Sequence, residues 1–124
     1  MAKHIKWFKS ISDFFFQDDL TTGNKETKKL VTGHPILVVG KDNRNNRYGL
    51  VLTGSPSKNK KYYKFKANPR DAYLEKKIRA VPKSVLRSKR PDLYIKDVDK
   101  EDIKELIKEL SSKYEKSRGS YSKK

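Results

Sequence analysis

Apolar and polar positions fall into short blocks along the chain, and each block predicts an element. From His4 to Phe16, Ile5, Phe8, Ile11 and Phe15 recur at near-helical spacing, and Trp7, Ile11 and Phe14 widen the stripe. That period predicts an amphipathic helix, with a strand as its competitor. Phe14-Phe15-Phe16 is too apolar to stay wet and should dock on the rest of the domain. Asp18 to Asn24 reads as a loop. Pro35-Ile36-Leu37-Val38-Val39 is a continuous β-branched run, the pattern of a buried strand. Lys41 to Arg47 is a polar turn whose asparagines tolerate left-handed geometry, and Tyr48 to Thr53 is the next strand. Gly54-Ser55-Pro56-Ser57 breaks it.

A third strand is read from Tyr62 through Ala67, a turn at Asn68 to Asp71, and a fourth strand over Glu75 to Val81. Pro82 to Leu86 suits one helical turn. Asp99 to Leu110 is a helix capped by Asp99, with Ile103, Leu106, Ile107 and Leu110 on one face. From Ser111 the Ser/Lys-rich tail is expected to fray. The expected class is mostly β with helices (α+β): a small barrel, SH3-like or OB-like, that hides its strand edges and carries a C-terminal helix and an N-terminal helical extension. The chain divides into an aromatic segment over 1–22, the barrel with its helix over 23–110, and a basic, disordered tail over 111–124.

Charge then changes the picture. The 124 residues hold 31 Lys and Arg against 15 Asp and Glu, a net charge of +16. Residues 41–90 alone hold 16 basic and 3 acidic side chains. Self-repulsion on that scale points to a polyanionic partner, nucleic acid foremost, although a generic basic surface has the same composition. There is no cysteine, so disulfide scaffolds, zinc ribbons and thiol nucleophiles are excluded. No run approaches the roughly 18 apolar residues of a membrane span, and no secretory leader is legible, so no membrane partner and a cytoplasmic location are expected.

His4 and His34 are far apart and have no carboxylate cluster beside them, so no metal site is expected. Gly33 and Gly40 are isolated, so no phosphate-cradling loop and no cofactor are expected. What remains is basic and aromatic. Lys58, Lys60, Lys61, Lys64 and Lys66 surround Tyr62, Tyr63 and Phe65. Strand alternation puts Lys60, Tyr62, Lys64 and Lys66 on one face, and Tyr63 and Phe65 inside. Lysines follow phosphates while an exposed tyrosine stacks on a base, although a solvated face would look alike. Arg79, Lys83, Arg87, Lys89 and Arg90 form a second group, with Arg87 to Arg90 in an exposed loop suited to backbone contact.

Gly33-His34-Pro35-Ile36-Leu37-Val38-Val39, followed by Asn45-Asn46-Arg47-Tyr48-Gly49-Leu50-Val51-Leu52, resembles the MazF/PemK toxin family (Kid/CcdB type) of toxin–antitoxin systems. Lys77 to Val81 is similar to that family's strand before a basic loop, and the helix Asp99–Leu110 stands where the family carries its C-terminal helix. The resemblance covers about residues 32–110. It implies an SH3-like barrel homodimer that cleaves single-stranded RNA without metal, the ribose 2′-hydroxyl attacking the adjacent phosphorus. The family uses an arginine just before the strand proline and a Thr or Ser in the loop after the next strand. Here His34 stands before Pro35 and no arginine does.

The resemblance therefore implies His34 as acid or base, Thr53 or Ser57 as the hydroxyl, and Arg47 or Arg79 as charge stabiliser, with Arg44 a further source of the cation. Ser55 lies in the same neighbourhood. The nucleic-acid surface would comprise Arg44, Lys58, Lys60, Lys61, Tyr62, Lys64, Arg79, Lys83 and Arg87. The alternative is a catalytically inactive relative that binds RNA or DNA, as a regulator or a mobile-element protein. An acidic antitoxin segment would be the protein partner of the toxin.

Overall fold

A computed structural model describes residues 4–19, 34–67 and 71–122. The expected loop over 20–24 and the turn over 68–70 lie outside the described residues. The molecule is a mostly antiparallel sheet with one C-terminal helix. Its strands are β1 (Ile5–Trp7), β2 (Phe15–Asp19), β3 (Pro35–Asp42), β4 (Asn46–Thr53), β5 (Tyr62–Lys64), β6 (Tyr73–Glu75), β7 (Arg79–Pro82) and β8 (Leu86–Lys89). They hydrogen-bond in the order β5-β6-β4-β3-β2-β8, with β1 also on β3 and β7 also on β4. The helix α1 spans Asp97–Ser122. Among the described residues no helix is long and apolar enough to cross a membrane.

The central stretches of β3 and β4, Ile36–Val39 and Leu50–Leu52, are apolar because both of their faces are covered. Leu37, Val39, Leu50 and Leu52 face one cluster with Ile103, Leu106 and Ile107 of α1. Ile36, Val38 and Val51 face a smaller cluster with Val81 and Leu86. The two strands approach so closely at Gly49 that a Cβ there would run into the Leu37 carbonyl oxygen. The turn between them is set by Asn45 at φ 63°, in the left-handed region read from its asparagines.

The N-terminal helix is corrected: the segment is β1, a 3-10 turn at Ile11–Asp13, and β2. Its apolar residues serve both faces of a sheet, which a helical stripe cannot do. Phe16 enters the large cluster while its neighbour Phe15 packs on the small one. Ser10 supports the 3-10 turn by accepting from the Ser12 N–H at 3.3 Å.

The fourth strand is also corrected. It is broken into β6 and β7 by a tight turn in which Lys77 N donates to Glu75 O at 2.8 Å. The loop read over Arg87 to Arg90 is largely strand β8, paired with β2. The one-turn helix is a 3-10 turn, Lys83–Val85. The frayed tail gives way to helix through Ser122.

Asp99 is not the cap but the third residue of α1 and fully buried. Its carboxylate accepts from Tyr63 Oη at 2.6 Å, Lys66 N at 2.9 Å and Ala67 N at 3.2 Å, fastening the helix to the end of β5.

Candidate active site

Register assembles the site. β3 pairs Ile36 with Val51, β4 pairs Thr53 with Tyr73, and β6 pairs Tyr73 with Lys64 and Glu75 with Tyr62. Residues directly opposite one another project to the same face, with Cβ atoms about 5 Å apart. His34 stands just before β3, and continuing the β3–β4 register beyond Ile36–Val51 would carry it toward Thr53. Thr53, Tyr73 and Lys64 form one row across three strands, and Glu75 and Tyr62 belong to the next. This face is turned away from α1, because Leu50, Leu52 and Leu74 occupy the other one.

An open cavity of about 470 Å³ lies on this face, lined by His34, Lys60, Glu75 and Arg79 over Val51, Ala80 and Val81. Glu75 is buried and holds both cations, with Oε1 2.9 Å from Arg79 Nη2 and Oε2 3.4 Å from Lys60 Nζ. Arg79 Nε is buried and has no acceptor among the described residues. A buried donor left unpaired costs free energy of about 1–3 kcal/mol. His34 is exposed at the mouth, before the fixed backbone of Pro35.

Thr53 is buried, with Oγ1 accepting from Ser55 N at 3.1 Å. Ser57 is outside the row: its N–H donates to Tyr62 Oη at 3.0 Å and its Oγ accepts from Asn59 N at 3.4 Å. Neither hydroxyl lines the cavity that His34 lines. Tyr62 meets Tyr73 edge-on, centroids 6.2 Å apart, and Lys64 Nζ lies 5.9 Å from the Tyr73 ring centre. Lys58 and Lys61 are exposed on the connection leading into β5.

Tyr63 and Phe65 are turned inward as expected, packed edge-on at 5.5 Å. Lys66 departs from the expected face and pairs with Asp102 of α1 at 2.9 Å.

The other cations gather elsewhere. Arg47 shares the helix-free face but lies six residues along β4 from Thr53, about 20 Å away at strand rise. It is paired with Val81 and Lys41. Arg44 and Lys83 belong to that same end, through Arg44 N to Asp42 Oδ1 at 2.8 Å and Lys83 N to Asn45 O at 2.8 Å. Arg87 is exposed on β8, its Nη1 donating to Ser84 O at 3.0 Å. Of the two candidate charge stabilisers, Arg79 is brought to His34 and Arg47 is not.

Sequence reasoning missed Glu75 as a site residue. The available signal was its isolation: between Asp71 and Asp92 it is the one acidic residue among many cations. Among the described residues no three His, Cys, Asp or Glu side chains converge as a metal site would require. No family model, no curated protein and no solved structure matches the chain.

Proposed function

We propose that the chain is a metal-independent endoribonuclease acting on single-stranded RNA, built on an SH3-like barrel. The barrel reading is supported by β7 and β8. They are consecutive, joined only by the 3-10 turn, yet they pair with β4 and β2 respectively. The path β2-β3-β4-β7 thus returns through β8 to β2, and Ile36, Val38, Val51, Val81 and Leu86 fill the ring.

The observation that carries the catalytic reading is the single cavity shared by His34, Arg79, Lys60 and Glu75. Phosphoryl transfer from the 5′-oxygen to the 2′-oxygen needs a group that moves protons and cations that hold the charge of the pentavalent phosphorus. His34 takes the 2′-hydroxyl proton. The 2′-O–P bond forms as the P–O5′ bond breaks, and water in the open cavity protonates the departing 5′-oxygen. Arg79 and Lys60 face the non-bridging oxygens, Glu75 fixes the orientation of both cations, and Thr53 supplies a hydroxyl beside the phosphate. Tyr62 and Tyr73 offer aromatic surface to neighbouring bases. The same reading implies a homodimer and an acidic antitoxin segment that competes for the cations.

Long single-stranded RNA incubated with the chain in EDTA tests the proposal. The expected result is discrete cleavage, reduced at least ~10²-fold by His34→Ala and by Arg79→Ala. Intact RNA that is nevertheless bound would establish the second reading, a binder without activity. One feature favours that second reading: both cavity cations already hold an ion pair to Glu75.

A further inference from the structure

Some of the described cations meet a carboxylate. Lys60 and Arg79 meet Glu75, Lys66 meets Asp102, and Arg90 meets Asp18 and Asp92. One row does not. β1 sets Lys6 directly opposite Lys41 of β3, and β3 sets Lys41 directly opposite Arg47 of β4. Three like charges thus stand side by side across three strands on the helix-free face, and among the described residues none has an ion pair.

Like charges directly opposed destabilise a sheet. The neighbouring carboxylate of Asp42 does not relieve them. It is buried and taken up by Arg44 N, Asn46 N, Asn46 Nδ2 and Tyr48 Oη. Beside the row opens a cavity of about 580 Å³ lined by Lys6, Lys9 and Lys41, with Trp7, Phe8 and Asp13 completing its wall. Trp7 is a fixed wall, its Nε1 donating to Glu115 Oε1 at 3.0 Å.

We infer that the row Lys6–Lys41–Arg47 binds backbone phosphates of a single-stranded nucleic acid, remote from the point of cleavage. The inference rests on the ribonuclease reading for the identity of the strand. From Pro35 to Lys41, β3 runs on the order of 20 Å, so the row holds phosphates several nucleotides from the scissile bond. Arg47 thereby becomes a binding residue in place of a charge stabiliser.

The test uses the double variant Lys6→Gln/Lys41→Gln and a single-stranded deoxyoligonucleotide of about 20 nucleotides, which lacks the 2′-hydroxyl and cannot be cut. Anisotropy titrations across a range of KCl give the dependence of affinity on salt. Each lost phosphate contact lowers the slope of log K against log salt by about 0.7, so the variant slope should fall by about 1.4. The melting temperature should hold or rise, because a repulsive pair has been removed. An unchanged slope, or a melting temperature that falls along with the affinity, overturns the inference. RNA left uncut by the wild type while the slope falls sinks the nuclease and keeps the row. Cleavage of RNA with an unchanged slope sinks the row alone.

Discussion

At Asp42 a buried carboxylate closes the β3–β4 turn. Burial alone would raise its pKa, but the donors Tyr48 Oη, Asn46 Nδ2 and N, and Arg44 N outweigh it and hold the group well below the ordinary carboxylate range. The folded state therefore favours the ionised form. That stability is present at neutral pH and is lost as pH falls below about 4, the unfolded range, toward the folded value. Thermal melts from neutral to strongly acid pH should show this decline, and Asp42→Asn should lower the melting temperature at neutral pH while flattening the decline. Asp99 likewise gathers hydrogen-bond donors, without a turn to close. Asp99→Ala leaves the Tyr63 hydroxyl and the Lys66 and Ala67 N–H groups unmatched, at a cost of about 3 kcal/mol in denaturant titrations. Burial and the neighbouring Asp99 and Asp102 push the Tyr63 hydroxyl pKa up, so it stays protonated as a donor.

At the scale of elements, packing on both sides of β3 and β4 explains what could be read from the residues. The uninterrupted apolar runs Ile36–Val39 and Leu50–Leu52 announce strands buried on both faces, and the Ile103-Leu106-Ile107 stripe announces a helix on one of them. Ile103→Ala should remove about 2–5 kcal/mol in the same titrations, because Ile103 is fully enclosed between sheet and helix. Gly49→Ala should be similarly harmful, since its Cβ has no room beside Leu37. The N-terminal segment was misread because alternating faces and a 3-10 turn imitate helical spacing over a few residues. Ile5, Trp7, Phe15 and Phe16 are placed by pairing with β3, and that pairing has no local signature. The same is true of the site. His34 and Thr53 are legible as chemistry, but Glu75, buried between Lys60 and Arg79, acquires its neighbours from three strand registers.

Across the whole molecule the charge is divided by the sheet. The helix Asp97–Ser122 carries seven acidic and six basic side chains, so the excess of +16 lies outside it. On the helix-free face the cations stand in two groups, Lys60, Lys64 and Arg79 with His34, and Lys6 and Lys41 with Arg47. On the proposed reading a polymer of phosphates would bridge both groups, and such binding would weaken steeply with salt. The chemistry of the cut ends is the most direct measurement of the central claim. RNA cleaved in EDTA by the wild type should end in a 2′,3′-cyclic phosphate with a 5′-hydroxyl on the other fragment, and these ends should disappear with His34→Ala. Ends bearing a 5′-phosphate, or cyclic ends that persist at wild-type rate in His34→Ala, would contradict the account.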